Sequence, residues 1–217
     1  MRIIKKLNTP FYLTGGTALS RHYFNHRYSD DLDLFLVADT AFHEWVEKVF
    51  EEFYEAEQRN EVVIERATVK RLNDFVQVFV HAPGDRKCSL RIDFVNDVAS
   101  HYGRFEKNAT LGRIDAWRNI LSNKVSALFR FEPKDIADIW FLCRHKKFSW
   151  KAVLEEAKSK EAGVEPEVVY NIIKSFPVEK FDLVRWVKKP VYEKARNDLG
   201  KIADDLFYGR ENSLKAG

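Results

Sequence analysis

Leu13-Thr14-Gly15-Gly16-Thr17-Ala18-Leu19, followed shortly by Ser29-Asp30-Asp31-Leu32-Asp33-Leu34, is the stretch on which the fold turns. Phe11-Tyr12-Leu13 is a short apolar run that ends at the Gly-Gly pair. Residues 17–26 then carry Ala, Leu and Arg, with Thr17 placed as a helix N-cap. Residues 31–37, DLDLFLV, alternate and then become wholly apolar, the pattern of a strand entering a core. A strand, a glycine turn and a helix start together make a phosphate cradle. Glycines let an anion approach the backbone, and N–H groups at a helix start favour its charge. The bland alternative for Gly15-Gly16 is a mere tight turn.

Asp31 and Asp33 lie two residues apart on the expected strand, so their carboxylates share a face. Two such groups repel unless a cation neutralises them, and oxygen-only ligation suits magnesium beside substrate phosphates. Asp30 points the other way, as a surface or turn residue. The alternative for Asp31 and Asp33 is a solvated strand end, but Leu32 and residues 34–37 draw this strand into the core, where stray carboxylates are costly. A third carboxylate is expected from a neighbouring strand. Asp93, between Ile92 and Phe94, fits, with Asp97 the weaker substitute. Three carboxylates holding two metal ions can activate an attacking oxygen and stabilise a leaving pyrophosphate.

Outward from this block, residues 41–57 place Phe42, Trp45, Val46, Val49, Phe50 and Phe53 at helical spacing. Residues 62–69, 75–80 and 89–95 read as strands, with turns at Asn73-Asp74 and Pro83-Gly84-Asp85. The front half therefore reads β-α-β-α-β-β-β. After Gly112 the periodicity is helical over residues 117–130, 134–145, 149–159, 165–175, 181–187 and 192–206, with Pro133, Pro166, Pro177 and Pro190 at starts or gaps. The expected fold is α+β (α/β): a mixed sheet domain over 1–112 with flanking helices, then a helical bundle over 113–217. The tail over 211–217 is expected to fray.

The 217 residues, 45% hydrophobic and 32% charged, suit one large or two small globular domains. No apolar run is long enough to span a bilayer, and the start lacks a signal-peptide pattern, so no membrane association and a cytoplasmic location are expected. Cys88 and Cys143 form neither a disulfide framework nor a zinc site. Six histidines show no zinc spacing; His22 and His26 are four apart but lack the intervening glutamate of a zinc protease. Residues 1–100 carry a balance of −3 and residues 101–217 a balance of +6. That asymmetry fits metal ligands in front and polyanion contacts behind, or simply two solvated surfaces. Arg144-His145-Lys146-Lys147, with Phe148 and Trp150, is a candidate grip for nucleic acid or a plain helix end.

GGTAL followed by HRYSDDLDLF resembles the first motif of the AbiEii/AbiGii type of nucleotidyltransferase toxins, within the DNA polymerase β-like nucleotidyltransferase superfamily. Gly15, Gly16, Asp31 and Asp33 match that motif. Asn123-Lys124-Val125-Ser126-Ala127-Leu128, running on to Pro133-Lys134-Asp135-Ile136-Ala137-Asp138-Ile139, resembles the later helical motif of the same toxins. The resemblance implies metal-dependent transfer of a nucleoside monophosphate from a nucleoside triphosphate, with two Mg2+ ions, or Mn2+ in their place, on Asp31, Asp33 and Asp93. It implies nucleotide contacts from Gly15, Gly16, Thr17, Ser29 and Lys124, and a positioning or base role for Asp135 or Asp138. For some members it implies tRNA as acceptor, and it implies a cognate antitoxin and a part in phage defence. Two other readings share the motif: an antibiotic-modifying type of small-molecule nucleotidyltransferase, and a non-catalytic nucleotide- or RNA-binding module. Surface ion pairing is the plain alternative for Lys124, Arg130, Lys134, Asp135 and Asp138.

Overall fold

The structure, a computed structural model, describes residues 1–215. The chain divides into two compact units whose segments alternate along the sequence. The first comprises Met1–Ala18, Asp30–Ala99 and Arg104–Asp115; the second comprises Leu19–Ser29, Ser100–Gly103 and the chain from Ala116 onward. Backbone pairing explains why residues 19–29 join the helical unit. Arg27 bridges to Trp186, Tyr28 N–H donates to the Arg185 carbonyl, and Val187 N–H donates to the His26 carbonyl.

The first unit is a mixed sheet. Its strands are β1 (Tyr12–Thr14), β2 (Asp31–Val37), β3 (Val63–Ile64), β4 (Lys70–Leu72), β5 (Phe75–His81), β6 (Leu90–Asp97), β7 (Glu106–Asn108) and β8 (Gly112–Ile114), in the order β3-β5-β6-β2-β1-β8-β7, with β4 paired to β5. β2 runs parallel to β6 and antiparallel to β1. Two helices, α1 (Arg2–Lys6) and α3 (Phe42–Gln58), accompany the sheet; a single turn, α2 (Gly15–Ala18), follows β1. Alternation sends Leu34 and Leu36 of β2, Val76, Val78 and Val80 of β5, and Ile92 and Phe94 of β6 into the core. Phe42, Val46, Val49, Phe50 and Phe53 make the buried stripe of α3, and Phe11 meets Phe42 and Phe94 edge-on. Asp31, Asp33 and Phe35 of β2 and Arg91, Asp93 and Val95 of β6 take the opposite, half-exposed face. The strand is therefore buried on one side only, and its carboxylates escape the cost of full burial.

Three expectations change. The strand expected over 62–69 shrinks to β3, because Glu65, Arg66 and Thr68 leave the ladder for a 3-10 turn over Arg66–Thr68. β4, β7 and β8 are short and polar, and carry too little alternation to read from sequence. The helix expected from residue 17 starts instead at Gly15 and passes into a π-turn over Leu19–Phe24.

The second unit is built from α4 (Trp117–Ser126), α5 (Pro133–His145), α6 (Trp150–Lys158), α7 (Pro166–Lys174) and α8 (Tyr192–Phe207). Proline takes the first turn of α5 and α7, where its missing N–H is harmless. Residues 181–187 are not an α-helix: a 3-10 turn, Val178–Leu183, gives way to the extended segment that pairs with Arg27. Trp140 stacks on Phe181 at 5.8 Å and donates its Nε1–H to Asp198 at 2.9 Å. Among the described residues no helix is long and apolar enough to cross a membrane.

Phe148 and Trp150 are buried against each other, so they belong to the core and offer no stacking surface for bases. The tail is also tied down through Leu214, while Ala216 and Gly217 lie outside the described residues. Glu211 bridges to Ser149, and buried Asn212 donates through Nδ2 to the carbonyls of Cys143 and Lys146 at 2.6 and 2.7 Å. Asn212→Ala strands those carbonyls at the end of α5. It is expected to cost about 1–3 kcal/mol in urea unfolding; no loss would mean the tail is ornamental.

Candidate active site

The parallel register of β2 on β6 sets Asp33 beside Asp93 and Asp31 beside Arg91. All four side chains occupy one face. Arg91 donates from a terminal nitrogen to Asp31 Oδ2 at 2.7 Å, and its Nε lies 3.4 Å from Asp93 Oδ2. Gln77, the register partner of Asp93 on β5, donates through Nε2 to Asp93 Oδ1 at 2.8 Å. The carboxylate of Asp93 is 13% exposed and that of Asp31 28%. Asp30 is exposed. Asp97 ends β6 opposite Val37 and accepts the Ala99 N–H, a loop-closing role.

Gly15 and Gly16 follow β1, whose Thr14 pairs with Asp33. Gly15 has φ +66°, and a Cβ there would stand 2.3 Å from Asp33 Oδ2. No side chain can fit, so the carboxylate rests on bare backbone. Thr17 does not cap the helix as expected. It lies inside α2, and its hydroxyl donates to the Asp31 carbonyl, fastening the glycine turn to β2. A four-residue helix has little macrodipole, so at this turn only the backbone N–H groups themselves could favour an anion.

Among the described residues no three His, Cys, Asp or Glu side chains converge into a closed cation cage. The donor set nonetheless suits a hard divalent cation: oxygen-only, on one face, and already sharing one positive charge in Arg91.

The remaining expected residues, Ser29, Lys124, Asp135 and Asp138, belong to the second unit. There Asp138 is fully buried. Arg27 grips it bidentately at 2.7 Å through Nε and a terminal nitrogen, His26 Nε2 stands 2.8 Å away, and Lys124 Nζ 2.9 Å. Lys124 also donates to Asp135 at 2.6 Å, and Arg130 holds the other oxygen of Asp135 at 2.9 Å. These are not surface pairs: Asp135 and Asp138 are wholly buried and the Lys124 side chain is 10% exposed. Burial works against the Asp138 charge, yet Lys124 and Arg27 outweigh it and hold the carboxyl well below the usual range. Burial likewise works against the Lys124 charge, and Asp138 and Asp135 override it to raise the ammonium. An ionised Asp138 accepts only, so His26 carries its proton on Nε2.

A family model described as nucleotidyl transferase AbiEii toxin, type IV TA system, matches residues 2–214. The chain belongs to the AbiEii family. No curated protein sequence matches it. Solved structures resemble it in fold: a nucleotidyltransferase assigned in Helicobacter pylori (TM-score 0.61, 19% identity, covering 95% of this chain and 90% of that one) and JHP933 from Helicobacter pylori (0.58, 21%, 95% and 88%). MenT4, a nucleotidyltransferase toxin from Mycobacterium tuberculosis H37Rv, is also similar (0.57, 14%, 94% and 80%). The mixed sheet followed by helices is thus the architecture of these proteins, and AbiEii nucleotidyltransferase toxin is the class to which the chain is assigned.

Several residues of this AbiEii chain escaped sequence reading. Arg91 and Gln77 were findable, since Arg91 stands two before Asp93 on the same strand face. His26 and Arg27 sit inside the quoted motif, but their partner lies 112 and 111 residues away. Thr14 donates to buried Asp115, a pair joined only by the parallel contact of β1 with β8.

Asp138→Asn leaves buried Lys124 and Arg27 undercompensated and is expected to cost about 3–5 kcal/mol. Because the folded carboxyl is depressed, its contribution is present above the unfolded value of about 4 and fades as pH falls through the folded one; the raised Lys124 contributes below about 10.4. Urea titrations should therefore show a gap between wild type and variant that is constant from about pH 5 to 9 and narrows below about pH 4. A gap under about 1 kcal/mol would demote the cluster to an ordinary ion pair.

Proposed function

We propose that this AbiEii protein is a metal-dependent nucleotidyltransferase that moves a nucleoside monophosphate from a nucleoside triphosphate to a tRNA acceptor. The observation that carries the reading is the register of Asp33 on Asp93, with Asp31 on the same face and the Gly15 backbone against Asp33. Asp31, Asp33 and Asp93 would hold two magnesium ions, or manganese, which supply charge neutralisation for the phosphates and polarise the α-phosphoryl oxygen. Gly15 and Gly16 offer the triphosphate a backbone with no side chain in the way, and Thr17 keeps that turn fixed to β2. An acceptor hydroxyl forms a bond to the α-phosphorus, the bond to the bridging oxygen breaks, pyrophosphate leaves and the hydroxyl proton passes to solvent.

Asp138, wholly buried and held ionised by Lys124 and Arg27, is a poor proton acceptor, and Asp135 is wholly buried between Lys124 and Arg130. Their role in this reading is to hold Lys124, with Arg27 and Arg130, as one rigid charge cluster within the helical unit. The acceptor is assigned to tRNA on the +6 balance of residues 101–217 and on Arg144, Lys146 and Lys147 near the end of α5. With Phe148 and Trp150 in the core, that grip is electrostatic, so binding should weaken steeply with salt. As a toxin of a type IV pair, the protein acts in the cytoplasm against an antitoxin that opposes its effect.

Incubation with each α-labelled triphosphate, magnesium and total tRNA tests the reading, with EDTA as control. Asp31→Asn and Asp33→Asn are each expected to abolish transfer while folding as wild type, because the half-exposed Asp31–Arg91 pair is worth about 1 kcal/mol or less. Either variant retaining near wild-type transfer refutes the assignment. Label found on a small molecule and none on tRNA would move the chain to the small-molecule class.

A further inference from the structure

Arg91 bridges two carboxylates of the proposed metal face, Asp31 and Asp93. It stands across from Asp31 in the ladder and two residues before Asp93, so backbone register alone sends it to both. Its contacts are unequal. One terminal nitrogen makes a good hydrogen bond to Asp31 at 2.7 Å, whereas the Nε, though buried, has no hydrogen-bond partner and lies 3.4 Å from Asp93. The side chain is 36% exposed, so the guanidinium is held at one prong and open to solvent along part of its length. A planar fork satisfied at one prong beside two carboxylates is a replaceable counter-ion rather than a fixed strut.

We propose that Arg91 is an exchangeable internal cation of this site: it neutralises Asp31 and Asp93 until a divalent cation takes them, and the released guanidinium then pairs with the phosphates of the incoming nucleoside triphosphate. The inference rests on the metal-dependent reading above. Like charges on neighbouring strands are unfavourable, so some cation must stay with the face, and Arg91 is built into the strand that supplies one of the acids. A bare divalent ion has to compete with the guanidinium. An ion that arrives with a triphosphate offers Arg91 a new anionic partner, and bidentate arginine–phosphate pairing is among the stronger charge-assisted contacts. Arg91 would thus couple metal and nucleotide loading, making each favour the other. Gln77 keeps Asp93 oriented during the exchange, since it holds the oxygen that Arg91 does not approach.

The test measures Mn2+ binding directly, by the loss of the free-ion electron paramagnetic resonance signal, with and without a mixture of α,β-methylene analogues of the four ribonucleoside triphosphates. Arg91→Gln is expected to bind Mn2+ alone about two- to fivefold more tightly than wild type, the size of one partly exposed ion pair. It is expected to bind the Mn2+-loaded analogue about tenfold more weakly. Arg91→Lys keeps the charge without the fork and should fall between on both readouts, which separates exchange from simple misfolding. Unchanged or weaker Mn2+ binding in Arg91→Gln, with binding still lost in Asp33→Asn, overturns the exchange and leaves the metal reading standing. Unchanged analogue binding in Arg91→Gln overturns it as well. A wild type that binds no Mn2+ even with the analogue overturns both readings.

Discussion

Like charges placed directly across neighbouring strands repel, and here Asp33 and Asp93 are register partners. The sheet tolerates this arrangement through surroundings that are each traceable to the backbone. β6 carries Arg91 two residues upstream, β5 offers Gln77 from its own register position, and β1 is followed by a glycine whose missing side chain leaves room for the Asp33 carboxylate. One face of β2 is spent on Leu34 and Leu36, so the acids have only the other face to occupy. The site is in this sense a by-product of parallel pairing: slide β2 by one residue against β6 and Asp31 and Asp33 would point into the apolar core, away from Asp93.

The helical unit solves the opposite problem. There the two acids are buried, and each is compensated more than once. Asp138 takes Arg27, His26 and Lys124, while Asp135 takes Lys124 and Arg130. Such a cluster is weak as a source of net stability, because desolvation offsets its Coulomb energy, but it strongly disfavours any arrangement that leaves one member unpaired. It therefore acts as a specificity device, joining α4, α5 and the segment over residues 26–27 in one arrangement.

What could be read in advance follows from the range of each interaction. Strand β2, Asp31, Asp33 and the apolar frame of Asp93 are local alternation, and they were legible. The long helices were legible for the same reason, from Phe42, Val46, Val49, Phe50 and Phe53 on one stripe to the prolines that start α5 and α7. The partners of the charged residues were not, because Arg27 and Asp138 are 111 residues apart and nothing local distinguishes a buried salt bridge from a solvated one. Phe148 and Trp150 beside a basic run read as a nucleic-acid grip or a plain helix end; they are core, since the chain leaves α5 after His145 and turns inward at Phe148 before α6 starts at Trp150. Short strands such as β7 and β8, with Glu106, Lys107 and Arg113, form because neighbours accept them and not because their sequence favours it.

The excursion of residues 19–29 away from the sheet that flanks it has a consequence for synthesis. The His26 carbonyl and Tyr28 N–H find their partners at Val187 and Arg185, so this segment cannot dock until the chain through residue 187 has left the ribosome. Closing so long a loop carries a large entropic cost before any contact repays it, which makes the step late and slow. Until then Thr17 must hold the glycine turn against β2 alone, with the chain on its far side unanchored. A polypeptide truncated before Arg185 therefore never anchors the segment that follows its glycine turn.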